Sequence, residues 1–531
     1  MRKLFQFVIL GVPLVALSTV AAKATWAVEA SSRAAAMHSI TTEEVKKYVD
    51  ALADDTFEGR EAGSRGGRAA ASYLVQNLKR FGFRGAGPKG SFFQDFREFH
   101  NILTAVEGRD PELKDQVVVI SAHYDHVGYG SASNSFGPIG SIHNGADDNA
   151  SGVAALMEVA EALSRLAEPT RRSILIAFWD GEEKGLLGSE HWASHPTVPL
   201  DRISIMVNAD MVGRLRNQRV EVFGTRTSPG LRRLVSSQND LSQLLLDFNW
   251  QLKPDSDHHT FLMRNVPIVM LHTGLHRDYH RPSDDADKIN AEGLKQVAQL
   301  LFGVLVKVAE DPRVGGFRRQ SRQESRSDQE QREVGLPAPP GRLGIRWNED
   351  VAAKTGDIVV STVSTGTAAE RAGFRRGDQI LSFADRGVRG AEAFRLTVLS
   401  APASTTATVR RPGEDDPLKL KLELPGEAVR LGISWRTDEA EPGTVIVNRV
   451  TTGSPAGLAG LRVNDRIYRV NGQDFADADG LRRLVMASDG AVTLDVESHG
   501  RVRSVEIPAV DTEIARLQAE VPNRGTDDAS K

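Results

Sequence analysis

The chain has 531 residues, 40% hydrophobic and 26% charged. At ~150 residues per domain that implies three or four domains, and it excludes a mostly disordered or multi-span membrane chain. Lys and Arg number 66 against 70 Asp and Glu, a net charge of −4 with no positive field to hold a polyanion, so nucleic acid is not an expected partner. Cysteine is absent, which removes disulfides, thiolate metal sites and a cysteine nucleophile. Any metal must be held by His, Asp or Glu.

The N-terminus places Arg2 and Lys3 before an apolar run from Leu4 to Val20, followed by Ala22, Lys23 and Ala24. These are the charged, apolar and small-residue parts of a secretory signal. A signal peptide over 1–27 is expected, with export to the periplasm or the medium and no membrane span in the mature chain. The competing reading is an uncleaved anchor, because the run is near the lower length limit for a span.

Residues 39–311 alternate β-branched runs with helical patterns, which predicts an α/β domain with a doubly wound, mostly parallel sheet. Near-continuous apolar runs at Val117–Ala122, Ile174–Trp179, Ile203–Asn208 and Val266–Leu271 read as strands covered on both faces. Between the first two, Ala154, Met157, Ala160 and Leu163 recur at helical spacing over Ser151–Leu166, a crossover helix with Glu161 outward. From 312 to 340 the composition turns to Arg, Gln, Glu and Ser and closes on Pro337, Pro339 and Pro340, which predicts a linker. The sequence then repeats. Arg342-Leu343-Gly344-Ile345 returns as Arg430-Leu431-Gly432-Ile433, and Arg376-Gly377-Asp378-Gln379-Ile380 is matched by Asn464-Asp465-Arg466-Ile467. Two small, mostly β domains are expected at 341–426 and 427–510, then a polar tail over 511–531.

Chemistry-bearing residues concentrate just past the C-terminal ends of the predicted strands, the edge where doubly wound sheets bind ligands. His123 and Asp125 follow the first strand, where one imidazole nitrogen is free to hold a metal while Asp125 accepts the other ring proton. Asp147, Asp148 and Asn149 open the crossover helix. Asp148 and Asn149 also read as helix caps, while Asp147, with two carboxylate oxygens, has the capacity to bridge two cations. Glu182 and Glu183 follow the second strand; adjacent glutamates point apart, so one suits a metal and its neighbour a general base. Asp210 and His280 follow the third and fourth strands. His123, Asp147, Glu183, Asp210 and His280 together suit two zinc ions (Zn2+) sharing a bridge.

The ordered set His123–Asp125, Gly145–Gly152, Asp180–Glu183, Asn208–Met211, Ser256–His258 and Tyr279–His280 resembles the co-catalytic zinc exopeptidases of metallopeptidase family 28, clan MH, over about residues 40–308. The resemblance implies Asp147 as the bridging ligand, Glu183 and His280 completing one zinc and His123 and Asp210 the other. It further implies Glu182 as the base, Asp125 as the orienting partner of His123, and a cis peptide at Asp147–Asp148. It departs at Arg281, where family members often have Thr, and at Leu252–Asp255, where some have a tyrosine, so the oxyanion-assisting residue stays open. His258, His259, His272 and His276 are further pocket candidates. The implied activity is an exported dizinc aminopeptidase acting on peptide or protein substrates. The alternatives are a carboxypeptidase or dipeptidase of the same family, or a catalytically inactive peptide-binding adaptor.

The repeated modules resemble PDZ domains of the bacterial periplasmic-protease type. That resemblance implies that Leu343, Gly344, Ile345, Leu431, Gly432 and Ile433 present backbone groups to C-terminal peptide ligands. The other reading of the modules is packing or assembly.

Overall fold

The computed structural model describes residues 30–521; the expected signal peptide at 1–27 and residues 522–531 lie outside the described residues. No helix among the described residues is long and apolar enough to cross a membrane. The chain divides into two compact units, one comprising the described residues up to Ser325 together with His499–Arg501, the other Arg326–Ser498 and the described residues from Val502.

The first unit is built on eight strands: β1 (Phe93–Phe96), β2 (Phe99–Val106), β3 (Val117–His123), β4 (Ser173–Trp179), β5 (Ile203–Ala209), β6 (Arg219–Phe223), β7 (Leu245–Asn249) and β8 (Ile268–His272). They form one sheet in the order β1-β2-β4-β3-β5-β8-β6-β7. The central strands β4, β3, β5 and β8 are parallel, so His123 and the residues after Trp179, Ala209 and His272 emerge on one edge. The chain runs from β3 to a neighbour on one side and then back across it to β5, and this reversal opens a crevice at the strand ends. Strand β3 is buried at every position, as helices on both faces require. The run expected to begin at Val266 is a strand from Ile268, and Pro267, which has no N–H to give, accepts the Met206 N–H at 2.9 Å through its carbonyl.

The crossover helix Gly152–Ser164 is buried on nearly all sides. Helices Thr42–Leu52 and Ala291–Glu310 pack on it, which also takes Glu158 out of solvent, to 2% exposure. On the other face, Trp179, Trp192 and Phe261 pack ring against ring.

The stretch expected as an unstructured linker is partly ordered. Glu324 pairs with Arg226 and Arg318, each at 2.7 Å, and Arg326–Glu333 is helical. Its charges find ion-pair partners, which composition alone does not reveal.

The second unit holds two sheets of equal strand order. Ile345–Trp347, Ile358–Val363, Gln379–Phe383, Ser404–Arg410 and Leu418–Glu423 are matched by Ile433–Arg436, Val445–Val450, Arg466–Val470, Val492–Ser498 and Arg501–Ile507. Helices Ala391–Ser400 and Ala478–Met486 occupy equivalent places in the two repeats. Leu343 and Leu431 are core residues, and Gly344 and Gly432 take φ of +85° and +81°, which suits glycine. The polar tail expected after 510 is a correction. Val510–Ala519 is a helix whose Ile514 and Leu517 bury against Ala393 and Leu396 of the first repeat. Those apolar residues, together with Val510, sit at helical spacing inside an otherwise polar stretch, and their stripe outweighs the composition.

Candidate metal and catalytic site

Four strand ends bring the expected side chains together, with one change of register. Asp148, not Asp147, stands at the centre. Its Oδ1 lies 3.5 Å from His123 Nε2, which is also 3.5 Å from Asp210 Oδ1. Its Oδ2 lies 3.1 Å from His280 Nε2, which is also 3.1 Å from Glu183 Oε2. Each oxygen of one carboxylate therefore faces its own histidine and its own second acid.

Asp147 points elsewhere, and its oxygens are used. Oδ1 accepts from Gly213 N–H at 2.6 Å and from Ser151 Oγ at 3.0 Å, while Oδ2 is 3.1 Å from His276 Nε2. It ties the acidic turn to the segment after β5. The sequence reading of Asp147 as the bridge is corrected on this ground. The cis peptide moves by the same single residue, to Asp148–Asn149.

The turn is over-determined. Asp284 Oδ2 accepts from both Asp147 N–H and Asp148 N–H, at 2.9 and 3.1 Å. Asn149 Oδ1 accepts from Gly152 N–H and Met211 N–H, and its amide donates to Ala209 O. Gly145 has φ +56°, and a Cβ there would stand 2.1 Å from Asp148 O and 2.4 Å from the His126 ring, so only glycine fits. Arg60, fully buried, donates to the carbonyls of Leu52, Tyr124, Asn144 and Gly145. Nothing in the sequence pattern marks Arg60 for this task. Met211 and His280 both hold positive φ, +51° each, strain of the kind that surrounding contacts sustain at functional sites.

Asp125 does something broader than expected. Its carboxylate accepts from Glu182 N–H at 3.1 Å and Glu183 N–H at 3.3 Å, whereas His123 Nδ1 is 3.2 Å from the Asp125 carbonyl and 3.7 Å from its carboxylate. Asp125 thus holds the Glu182–Glu183 turn, and its backbone carbonyl, more than its carboxylate, meets the imidazole. His126, which sequence reasoning passed over, lies behind Glu183 with Nδ1 2.8 Å from Oε1. Its place directly after Asp125 was the only available signal. Burial drives its pKa down to about 3, so the ring is neutral and free to orient that carboxylate.

The electrostatics follow from acids crowded out of water. Burial, reinforced by Glu183, Asp257 and Asp210 and opposed by His123, pushes the Glu182 carboxyl well above the usual carboxylate range. For His280 burial opposes charge, yet Asp148 and Glu183 outweigh it and raise the ring to about 10. For Asp210 burial acts upward and the His123 imidazole prevails, holding it near 2. The cluster has an excess of carboxylate that calls for positive charge. His123, Asp148 and Asp210 form one group whose donor atoms lie within 4.8 Å of one another, and His126, Asp148 and Glu183 form a second. Nitrogen and oxygen donors in two groups sharing a carboxylate fit borderline divalent ions such as zinc.

His123, Asp148, Glu183, Asp210 and His280 line a cavity of about 330 Å³. Glu182 opens on it and makes no hydrogen bond or ion pair with a protein side chain among the described residues. His272 and Tyr279 join the lining; His258 is buried away from it, and Ser256 Oγ accepts from Asn208. Arg281, at the departure from the family pattern, donates to the Phe136 carbonyl.

The model of peptidase family M28 matches residues 101–305, and that of the PDZ domain matches residues 446–498. The chain is 26% identical over 241 residues to leupeptin-inactivating enzyme 1 of Streptomyces exfoliatus, covering 45% of this chain and 50% of that one. It is 29% identical over 195 residues to aminopeptidase YwaD of Bacillus subtilis, covering 35% and 39% respectively. The chain thus spans half or less of the length of these relatives. Among solved structures, the LapA aminopeptidase of Legionella pneumophila is similar at 19% identity and a TM-score of 0.43, over 52% of this chain and 74% of that one.

Proposed function

From the matches of the peptidase family M28 model to residues 101–305 and of the PDZ domain model to residues 446–498, we propose that this chain is an exported dizinc exopeptidase that removes N-terminal residues from peptides. The observation that carries the proposal is Asp148, whose two oxygens each face a separate histidine and acid. His123, Asp148 and Asp210 would hold one zinc ion, and Asp148, Glu183 and His280 the other. When bound, such a pair acidifies a water molecule and stabilises the negative charge that develops on the scissile carbonyl oxygen.

The chain's own residues do the rest. Glu182 opens on the cavity with its carboxylate uncommitted, so it is the group available to take a proton from water and return it to the leaving amine. Asp125, through the N–H groups of Glu182 and Glu183, keeps the base and the neighbouring ligand on opposite sides of one turn. His126 fixes Glu183, and Asp284 with Arg60 fixes the loop bearing Asp148. Acids grouped this closely are held apart by backbone anchors rather than by one another.

The PDZ-like repeats supply peptide or protein capture, in which an extended C-terminal peptide adds beside Ile345–Trp347 or Ile433–Arg436. Export rests on the charged and apolar N-terminus. Hydrolysis of aminoacyl anilides by the mature protein, abolished by a chelator and restored by zinc, tests the activity. Release of C-terminal residues instead would reverse the direction. Mass measurement of the secreted protein tests export, and a retained Met1 would oppose signal cleavage.

A further inference from the structure

The floor of the cavity is made by two cross-strand pairs. In the β6–β8 ladder Glu221 stands opposite His272 and Phe223 opposite Met270. Val220 and Val222 are buried on the other face of β6, so alternation turns Glu221 and Phe223 toward the cavity, which both line together with Met270 and Leu275. Glu221 is half-buried and belongs to neither of the donor groups around Asp148.

The basic groups around Glu221 are committed elsewhere. Arg219 forms a two-pronged pair with Asp247, both contacts at 2.9 Å. Arg216 donates to the carbonyls of Thr273, Gly274 and Leu275 at 3.1–3.4 Å. His272 Nδ1 accepts the Gly274 N–H at 2.7 Å. Lys253 and Asp255 are exposed at the rim and offset each other in sign. Among the described residues the Glu221 carboxylate has no hydrogen bond or ion pair. A carboxylate in that setting is poorly matched by a neutral occupant, which strips water from it without replacing the lost hydrogen bonds.

We propose that Glu221 selects substrates whose side chain in this cavity has an apolar stem and a cationic tip, that is, lysine or arginine. Phe223, Met270 and Leu275 take the methylenes, and Glu221 receives the charge in a charge-assisted hydrogen bond. This selection rests on the exopeptidase reading above, and the test separates the two.

Lysine and norleucine have stems of the same length and differ at the tip by one ammonium. Two ratios are measured in the wild-type protein and in Glu221→Gln: kcat/KM for lysyl against norleucyl anilide, and calorimetric affinity for lysinamide against norleucinamide. The expected wild-type preference for lysine is about tenfold or more in each, collapsing toward one in the variant. A wild-type ratio at or below one, or a ratio unchanged by Glu221→Gln, overturns the proposal. If neither anilide is cleaved yet lysinamide still binds preferentially through Glu221, the exopeptidase reading fails and the cationic pocket stands. If neither is cleaved and no binding preference exists, both fall. Glu221→Leu is the second variant, with circular dichroism to confirm folding; it too should lose the preference for lysine, and a preference kept in either folded variant overturns the proposal.

Discussion

Asp148 Oδ2 lies 3.1 Å from His280 Nε2, while the other oxygen of the same carboxylate is turned to His123 at 3.5 Å. Its neighbour Asp147 spends both oxygens on Gly213, Ser151 and His276. The two adjacent acids therefore predict opposite phenotypes. Asp148→Ala should lose bound zinc together with activity. Asp147→Ala should keep detectable zinc and lose about 1–3 kcal/mol of stability, because the buried Gly213 N–H is left without an acceptor. Metal content by elemental analysis, beside thermal melts, checks both. Full zinc in Asp148→Ala would remove it from the centre.

Glu182→Gln should retain zinc and fold normally but lose about 10²–10⁴-fold in turnover, since the amide has no basic oxygen with which to accept a proton. Steady-state rates on an aminoacyl anilide, paired with metal content, make the check. A rate near wild type would reject Glu182 as the base.

Glu158 gives a pH prediction remote from the metal centre. It is buried in the crossover helix with Oε2 3.3 Å from Thr41 N–H. Burial first, then the Glu44 charge, raises its pKa from the usual carboxylate value to about 8. The folded state thus holds this proton over a range where the unfolded chain has released it. The sign is that stability falls as pH rises from about 4.5 through 8, by an amount on the order of a few kcal/mol. Glu158→Gln should flatten this dependence and melt higher than wild type above pH 8. Melting temperatures across pH 5–9 test it, and parallel curves for the two proteins would contradict the assignment.

The helix Val510–Ala519 should stabilise the first repeat. Leu517→Ala is expected to cost about 2–3 kcal/mol through the cavity left against Ala393 and Leu396. Urea unfolding followed by the fluorescence of Trp347, with the other tryptophans replaced by phenylalanine in both proteins, checks it. An unchanged midpoint would mean that the helix contributes nothing there.

How far the sequence could be read depended on the kind of constraint. Strands β3, β4 and β5 were legible because a sheet covered on both faces demands long apolar runs, and their ends located His123, Glu182, Glu183 and Asp210 in advance. The assignment within Asp147–Asp148 was not legible. Both acids open the same turn, and which one faces the histidines is set by the Asp284 carboxylate, which accepts from the Asp147 and Asp148 N–H groups, and by the Ser151 hydroxyl and the Gly213 N–H, which donate to Asp147; Asp284 and Gly213 lie far along the chain. Arg60 and His126 escaped notice because a buried arginine collecting four carbonyls, or a histidine behind a ligand, has no local spacing to betray it. The tail failed for a different reason. Its few apolar residues matter only because Ala393 and Leu396 offer them a surface, and composition counts residues without counting partners.

The most direct test of the central claim is zinc titration of metal-free protein, with activity on a panel of aminoacyl anilides recorded at each addition. The account predicts saturation at two zinc ions per chain with chelator-sensitive release, and no such saturation in Asp148→Ala. Full activity in metal-free protein, or two tightly bound ions in Asp148→Ala, would contradict it.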